Sequence, residues 1–170
     1  MTGLERNADV VSMASYAPLF ARADGWQWTP DLIWFDNLHA YGTPNYYVQK
    51  LFSNNKGTDV VPALSNGKPL AGQDSLYASA VIDKKTNEVI VKIVNGSTTD
   101  RSTNLVIEGV KKILPPVLVT TLTGQNADQE NSFETPLAVS PETGILTGGG
   151  RDLNIFVKAN SLTVIRVAMQ

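Results

Sequence analysis

The hydrophobic period of this chain changes once, near Gly57, from the 3.6 residues of a helix to the 2 of a strand. A chain that switches period in this way cannot be one uniform layer, and its two parts are expected to fold by different rules. In "LERNADVVSMA" (4–14), Leu4, Ala8, Val11 and Ala14 recur at spacings of four and three, which predicts a helix. "MASYAPLF" (13–20) is an apolar run with a proline near its end, and reads as a short buried strand emerging into a loop. In "GTPNYYVQKLFSNNKG", Thr43 can cap a helix, Pro44 suits its first position, and Asn54, Asn55 and Gly57 can end it. Helix, buried strand, loop, helix is the order of a parallel α/β unit.

Beyond Gly57 the pattern alternates. "SLYASAVID" (75–83) and "EVIVKIVNG" (88–96) flank a short polar connection and predict a hairpin, with Val89, Val91 and Ile93 on one face and Lys92 on the other. Further strands are expected at 103–110, 116–124, 152–160 and 161–169, with an edge strand at 58–64 because of Pro62. "LAVSPETGIL" (137–146) reads as two short pieces broken at Pro141. Short strands separated by turns, with no helix between them, predict an antiparallel β-sandwich over residues 58–170. The glycine-rich "TGGGRD" (147–152) lacks the Lys-Ser/Thr of a phosphate loop and reads as a flexible loop.

Composition removes several functions. A net charge of −2 with no cluster of Lys and Arg argues against nucleic acid as a partner. No apolar run approaches the roughly 20 residues of a membrane helix. The first residues, "MTGLERNADVV", carry neither a positive leader nor a continuous apolar segment, so they are not expected to be a signal peptide. With no cysteine and a single histidine, His39, neither a thiolate nucleophile nor a multi-histidine metal site can be built, and no cofactor is expected. The sequon Asn95-Gly96-Ser97 is a three-residue match with no weight of its own.

Chemistry concentrates in "GWQWTPDLIWFDNLHAYGTPNYY" (25–47), which holds all three tryptophans, three of the five tyrosines and His39. Sugars present C–H faces that lie on flat aromatic rings, and hydroxyls that need polar partners. Trp26, Trp28 and Trp34, interleaved with Gln27, Asp31, Asp36 and Asn37, supply both kinds of group. The competing reading is that Trp34, Phe35, Tyr46 and Tyr47 pack a helix against a sheet. His39 is a proton carrier only if a partner faces it; otherwise it is a satisfied loop histidine. Glu5 and Asp9, four apart beside Arg6, read as a solvated helix face.

"GLERNADVVSMASYAPLF", "WTPDLIWFDN" and "YGTPNYYVQKLF", in that order and spacing, resemble the stretch leading into the C-terminal domain of the family 51 α-L-arabinofuranosidases, in the bacterial and plant branch. The likeness is carried by residues 1–57 and is weaker in motif over 58–170. It implies a (β/α)8 barrel followed by a jelly-roll-like β-sandwich. The present chain would then hold the last helix-strand-loop-helix of the barrel (1–57) and the sandwich domain (58–170).

The family's enzymes release arabinofuranosyl groups from arabinan and arabinoxylan with retention. That outcome requires two glutamates about 5–5.5 Å apart. The resemblance places both ahead of Met1 and matches Glu5 to neither, so no catalytic residue is expected within this chain. The aromatic stretch would be the loop after the eighth barrel strand, on the face where such barrels build their sites. Trp28 is the expected wall residue, with Asp31, Asp36 and Asn37 as hydroxyl partners.

The implied partners are an arabinose-containing poly- or oligosaccharide, met through the parent enzyme, and the upstream barrel. The alternatives are a stand-alone carbohydrate-binding module or a protein-interaction sandwich. Residues 58–170 contain only Tyr77, Phe133 and Phe156 as aromatics, which is poor equipment for a sugar platform.

One strand and two helices cannot close a barrel, so residues 1–57 face three fates: packing on the sandwich, burial in a homodimer, or partial disorder. Size-exclusion chromatography with light scattering is expected to return a protease-resistant monomer or a dimer. A clean monomer with a protease-sensitive amino-terminal third would remove the homodimer.

Overall fold

The computed structural model describes residues 1–147 and 150–170. The elements run α1 (Thr2–Arg6), β1 (Phe20–Arg22), β2 (Ile33–Phe35), β3 (Ala40–Gly42), α2 (Pro44–Asn54), β4 (Asp59–Val61), β5 (Leu64–Ser65), β6 (Lys68–Pro69), β7 (Leu76–Asp83), β8 (Glu88–Asn95), β9 (Arg101–Val106), β10 (Ile113–Thr123), β11 (Glu142–Leu146), β12 (Asp152–Val157) and β13 (Ser161–Met169). The glycine-rich run at 147–152 contains Gly148 and Gly149, which lie outside the described residues.

The alternating half folds as its pattern predicts. A six-stranded sheet has the order β11-β10-β13-β8-β7-β4, every pair antiparallel. β4, the strand that ends just before Pro62, is the edge, where a missing N–H is tolerated. A second layer, the antiparallel pair β9–β12, covers one face. Between them lie Val89, Val91 and Ile93 of β8, Ile165 and Val167 of β13, and Leu153, Ile155 and Val157 of β12. This is a β-sandwich, packed on alternate residues of each strand.

Although β12 and β13 are consecutive, they do not pair. β12 joins β9 in one layer and β13 joins β8 and β10 in the other, so the Lys158–Asn160 turn crosses between layers. Asn160 adopts φ 44°, and the buried Asn95 ties the crossing down by donating to the carbonyls of Val157 and Lys158. Asn95 is fully buried, so the sequon it begins is a packing element. The stretch 137–146 yields one strand, β11, rather than two: residues 137–140 form turns, with Val139 buried.

The opposite face of the large sheet is buried too. Leu51 and Phe52 of α2 pack on Val81, Ile90, Leu122, Leu162 and Val164. Helix α2 has the predicted ends: Thr43 accepts from the Tyr46 N–H, Pro44 is the first helical residue, and Asn55 closes it. Arg166 of β13 ties that end to the sheet, donating to Asn55 at 3.1 Å and to Glu88. Gly57 follows in a position where a Cβ would sit 2.6 Å from that of Val81, so only glycine lets the chain leave the helix this close to β7.

Three expectations for the first residues are corrected. The helix predicted over 4–14 is one short helix, Thr2–Arg6; the Asn7 side chain donates back to Gly3, and the chain leaves the helix before Val10 and Val11. The strand predicted over 13–20 appears only at Phe20–Arg22, where it finds a parallel partner in β2. A strand exists only where a neighbour takes its backbone hydrogen bonds: the Pro18 and Leu19 carbonyls accept from the Leu32 and Ile33 N–H groups, and among the described residues no such partner is found for 13–17.

The third correction concerns charge, because Glu5 and Arg6 are not a solvated face. Glu5 accepts from Lys92 Nζ at 2.6 Å and from Ser79 Oγ at 2.6 Å, and Arg6 donates to the Ala78 carbonyl at 2.7 Å. Lys92 is 0% exposed and its ammonium lies 5.5 Å from the centre of the Phe52 ring. Desolvation pushes the Lys92 ammonium below the ordinary lysine range, while its hydrogen bond and charge pairing with Glu5 pull it back.

Lys92 therefore requires Glu5 more than the fold requires the pair. Glu5→Ala is expected to cost about 3–5 kcal/mol in urea unfolding, because it strands a buried charge. Combining it with Lys92→Met should recover most of that loss, since a well-packed apolar replacement is often neutral or better. Equal losses in the single and double variants would refute this account.

Candidate functional site

The aromatic stretch is more structured than a loop. After β1 the chain turns at Ala23–Gly25, passes through Trp26 and Trp28, and returns as β2, parallel to β1. β2 then doubles back antiparallel into β3, with Ile33 opposite Gly42, Trp34 opposite Tyr41 and Phe35 opposite Ala40. This hairpin was not legible in the sequence because its strands are three residues each and carry no alternation. Its tip is Asp36–His39. There Asp36 Oδ1 accepts from the Leu38 and His39 N–H groups, both at 2.6 Å, and the Asp36 N–H donates to the His39 carbonyl. Those backbone N–H groups hold the Asp36 carboxyl below the usual aspartate range.

The four expected site residues separate by depth. Trp28 is exposed, at 70%. Trp26, half exposed, packs edge-on against Trp34 with ring centres 5.6 Å apart. Asp36 and Asn37 sit together on the hairpin tip. Asn37 Oδ1 accepts from Arg22 at 3.2 Å, and Arg22 in turn forks onto Asp24, whose carboxyl it holds low. The structure thus links the end of β1 to the hairpin tip through Arg22, a residue the sequence did not single out.

Asp31 goes the other way. It is 2% exposed, and its Oδ2 has no hydrogen-bond partner among the described residues. A buried carboxylate oxygen without a donor is costly, so Oδ2 is a position where a water or another donor is favoured. His39 is exposed, with its Nδ1 3.5 Å from Asp36 Oδ2. It belongs to the turn. The packing reading of the aromatics holds in part as well: Trp34 and Phe35 are partly covered, and the Tyr46 and Tyr47 rings meet edge-on at 5.2 Å.

Two contacts from the sandwich reach this unit. The Asn131 side chain, buried in the long connection between β10 and β11, donates to the Gly42 carbonyl at 2.8 Å. Phe133 meets Tyr41 edge-on with ring centres 4.9 Å apart. Burial pushes the Tyr41 hydroxyl above the usual tyrosine value, and the nearby charges of Glu130 and Glu134 push it further. Gly42 admits no side chain, since a Cβ would lie 2.3 Å from the Tyr46 ring. Only a lone phenylalanine in an otherwise polar loop could have drawn attention to this contact.

Among the described residues, no group of three or more His, Cys, Asp or Glu is placed to hold a metal ion. Several carboxylates are already engaged: Glu5 with Lys92 and Ser79, Glu88 with Arg166, Asp59 with Lys84 and Thr58. The segment between β1 and β2 leaves Trp26 and Trp28 exposed, and the hairpin tip leaves Asp36 and Asn37 exposed; an indole can lie against a C–H face, and such polar groups can hydrogen-bond to hydroxyls.

Comparison with known proteins agrees with this architecture. The chain is 33% identical over 168 residues to α-L-arabinofuranosidase 1 of Arabidopsis thaliana, covering 96% of this chain and 24% of that protein. It is 59% identical over 69 residues to the extracellular exo-α-L-arabinofuranosidase of Streptomyces chartreusis, covering 41% of this chain and 8% of the relative. The structure of an arabinose-bound family 51 α-L-arabinofuranosidase superposes with a TM-score of 0.88 at 31% identity, covering 100% of this chain and 26% of that one. The chain thus spans about a quarter or less of the length of the relatives it matches. The family model for the α-L-arabinofuranosidase C-terminal domain matches residues 1–161, and the chain belongs to that family.

Proposed function

We propose that this chain is the non-catalytic C-terminal portion of an α-L-arabinofuranosidase that removes arabinofuranosyl groups from arabinan or arabinoxylan with retention. In this reading, residues 1–57 complete the catalytic barrel and 58–170 form the sandwich that braces it. The observation that carries the reading is the match of residues 1–161 to the α-L-arabinofuranosidase C-terminal domain, in a chain whose Trp28 is left exposed on the segment before the hairpin. Trp28 forms part of the wall around the arabinofuranosyl group, and Asp36 and Asn37 serve as hydroxyl partners. Asp31 lies deeper, and its unpaired Oδ2 accepts from the ligand or from a donor of the upstream barrel.

Two features support the brace. Val10, Met13 and Phe20 are well exposed, as expected of barrel elements whose neighbours belong to an upstream part. In the isolated chain the same face is available for a homodimer. The six-stranded sheet is covered on both faces over β7, β8 and β13, and its aromatics are few, which disfavours the alternative of a stand-alone carbohydrate-binding module. Isothermal titration with arabinan oligosaccharides tests that alternative directly, and no heat of binding to this chain alone is expected.

In the full-length enzyme carrying this sequence, Trp28→Ala is expected to weaken transition-state binding by about 1–2 kcal/mol, roughly a five- to thirtyfold loss in kcat/KM. The chain alone should release no p-nitrophenol from the arabinofuranoside. Turnover by the isolated chain would overturn the reading.

A further inference from the structure

The aromatic stretch does not hold its own shape. Two edge-on ring pairs, one on each strand of the β2–β3 hairpin, lie between it and the sandwich. Phe133 sits edge-on against Tyr41, Tyr41 is the register partner of Trp34 and shares its face of the hairpin, and Trp34 packs against Trp26. The first ring, Phe133, belongs to the connection between β10 and β11, more than a hundred residues further along the chain than the last, Trp26.

That connection is itself fixed. The Asn131 amide is 4% exposed and closes a local ring, donating to the Val139 carbonyl and accepting from the Val139 N–H at 2.7 Å, while its second donor contact reaches the Gly42 carbonyl. Val139 in turn is buried among the residues between the large sheet and α2. The hairpin is three residues to a strand, too short to be stable by itself, and none of its six strand residues is fully buried. Its attachment to the sandwich core through Asn131 and Phe133 therefore sets where Trp26 and the Asp36–His39 tip stand.

We propose that Phe133, supported by Asn131, is a positioning residue for the sugar site: the sandwich aims the hairpin at the ligand as well as bracing the barrel. This rests on the reading of the aromatic stretch as part of the arabinofuranosyl site. It assigns no contact between Phe133 and the sugar. The effect should appear in ground-state binding, because a hairpin that wanders must be reordered each time the ligand is bound.

The test uses the full-length enzyme carrying this sequence. Phe133→Leu keeps apolar volume but removes the ring, and Phe133→Tyr keeps the ring; Phe133→Ala is run beside them, so that a misfolded Ala variant does not end the experiment. For Phe133→Leu, KM for p-nitrophenyl α-L-arabinofuranoside is expected to rise roughly two- to tenfold, the equivalent of one aromatic pair, with kcat held. Phe133→Tyr should restore KM, and hydrogen exchange of the 33–42 amides should quicken in Leu and return in Tyr.

Unchanged exchange at 33–42 in Phe133→Leu would overturn the positioning role and leave the Trp28 reading standing. Faster exchange with an unchanged KM would show a held hairpin that is no part of the sugar site, and would overturn both. A fall in kcat with KM unchanged, not rescued by Tyr, would mark Phe133 as a general packing residue and also overturn the proposal.

Discussion

A lysine with no solvent exposure sits in the middle of β8, and its only carboxylate partner comes from the first turn of the chain. Removing an ammonium from water costs several kcal/mol unless a counter-charge and further hydrogen bonds replace the lost hydration. Here Glu5 supplies the charge, Ser79 satisfies the second Glu5 oxygen, and the Phe52 ring lies against the ammonium. Ser79 and Lys92 are register partners on adjacent strands, so one carboxylate bridges both. The pair thereby couples three elements distant in sequence: the amino-terminal helix, the centre of the large sheet and the closing helix. Without it, α1 would retain little beyond the Arg6 contact to hold it on the sheet.

That coupling is one of several contacts by which residues 1–57 pack on the sandwich. The large sheet has two apolar faces. β9 and β12 bury one, while α2, backed by Val139, buries the other. A sandwich that needed no partner would keep its second face polar, as antiparallel sheets commonly do. Ile90, Val94, Leu162 and Val164 on that face show the reverse, and each finds its cover in residues that precede or bridge the strands. The helix is fastened at its end by Arg166 through Asn55, and at its start by a threonine cap whose hydroxyl also reaches back to the Leu32 carbonyl.

How much of this could be read from residues alone depended on what carried the signal. Alternation located β7, β8 and β13 almost to the residue, and the Thr43-Pro44 and Asn54-Asn55 signals located α2. These features are local, and their physics is local. Elements that depend on neighbours were misplaced. The run at 13–20 looked like a strand because it is apolar, but a parallel strand exists only beside another. The strands expected at 152–160 and 161–169 are both present, but nothing in their pattern tells that they lie in different layers, with Asn95 holding the turn between them.

Lys92 was read on the correct face, yet nothing in the alternating pattern told that this face would be buried. At the candidate site, composition located the tryptophans but gave no depth. Trp28 faces solvent and Asp31, three residues on, is enclosed. That difference is made by the β2–β3 hairpin, which has no period to detect.

The remaining step concerns what a covered sheet can do. A module that binds polysaccharide needs an open platform, and the flat faces of a sheet are the natural place for one. In this chain both faces of the large sheet are covered over β7, β8 and β13, and the part left open is the β10–β11 edge, where Leu118 and Ile145 are exposed and no aromatic residue stands. The exposed indoles and the hairpin tip belong to the small three-stranded sheet and its loops, which meet the sandwich through Tyr41 and Gly42 and through α2, joined to β3 at Thr43. The division of labour follows from burial. The sandwich core supplies a rigid base, because its residues are committed to one another. In the proposed reading the aromatic stretch supplies the sugar contact, because Trp28 is left exposed while Trp26 and Trp34 pack on one another. The few side chains that connect the two, Asn131 and Phe133 foremost, are where rigidity in one part can be transmitted as precision in the other.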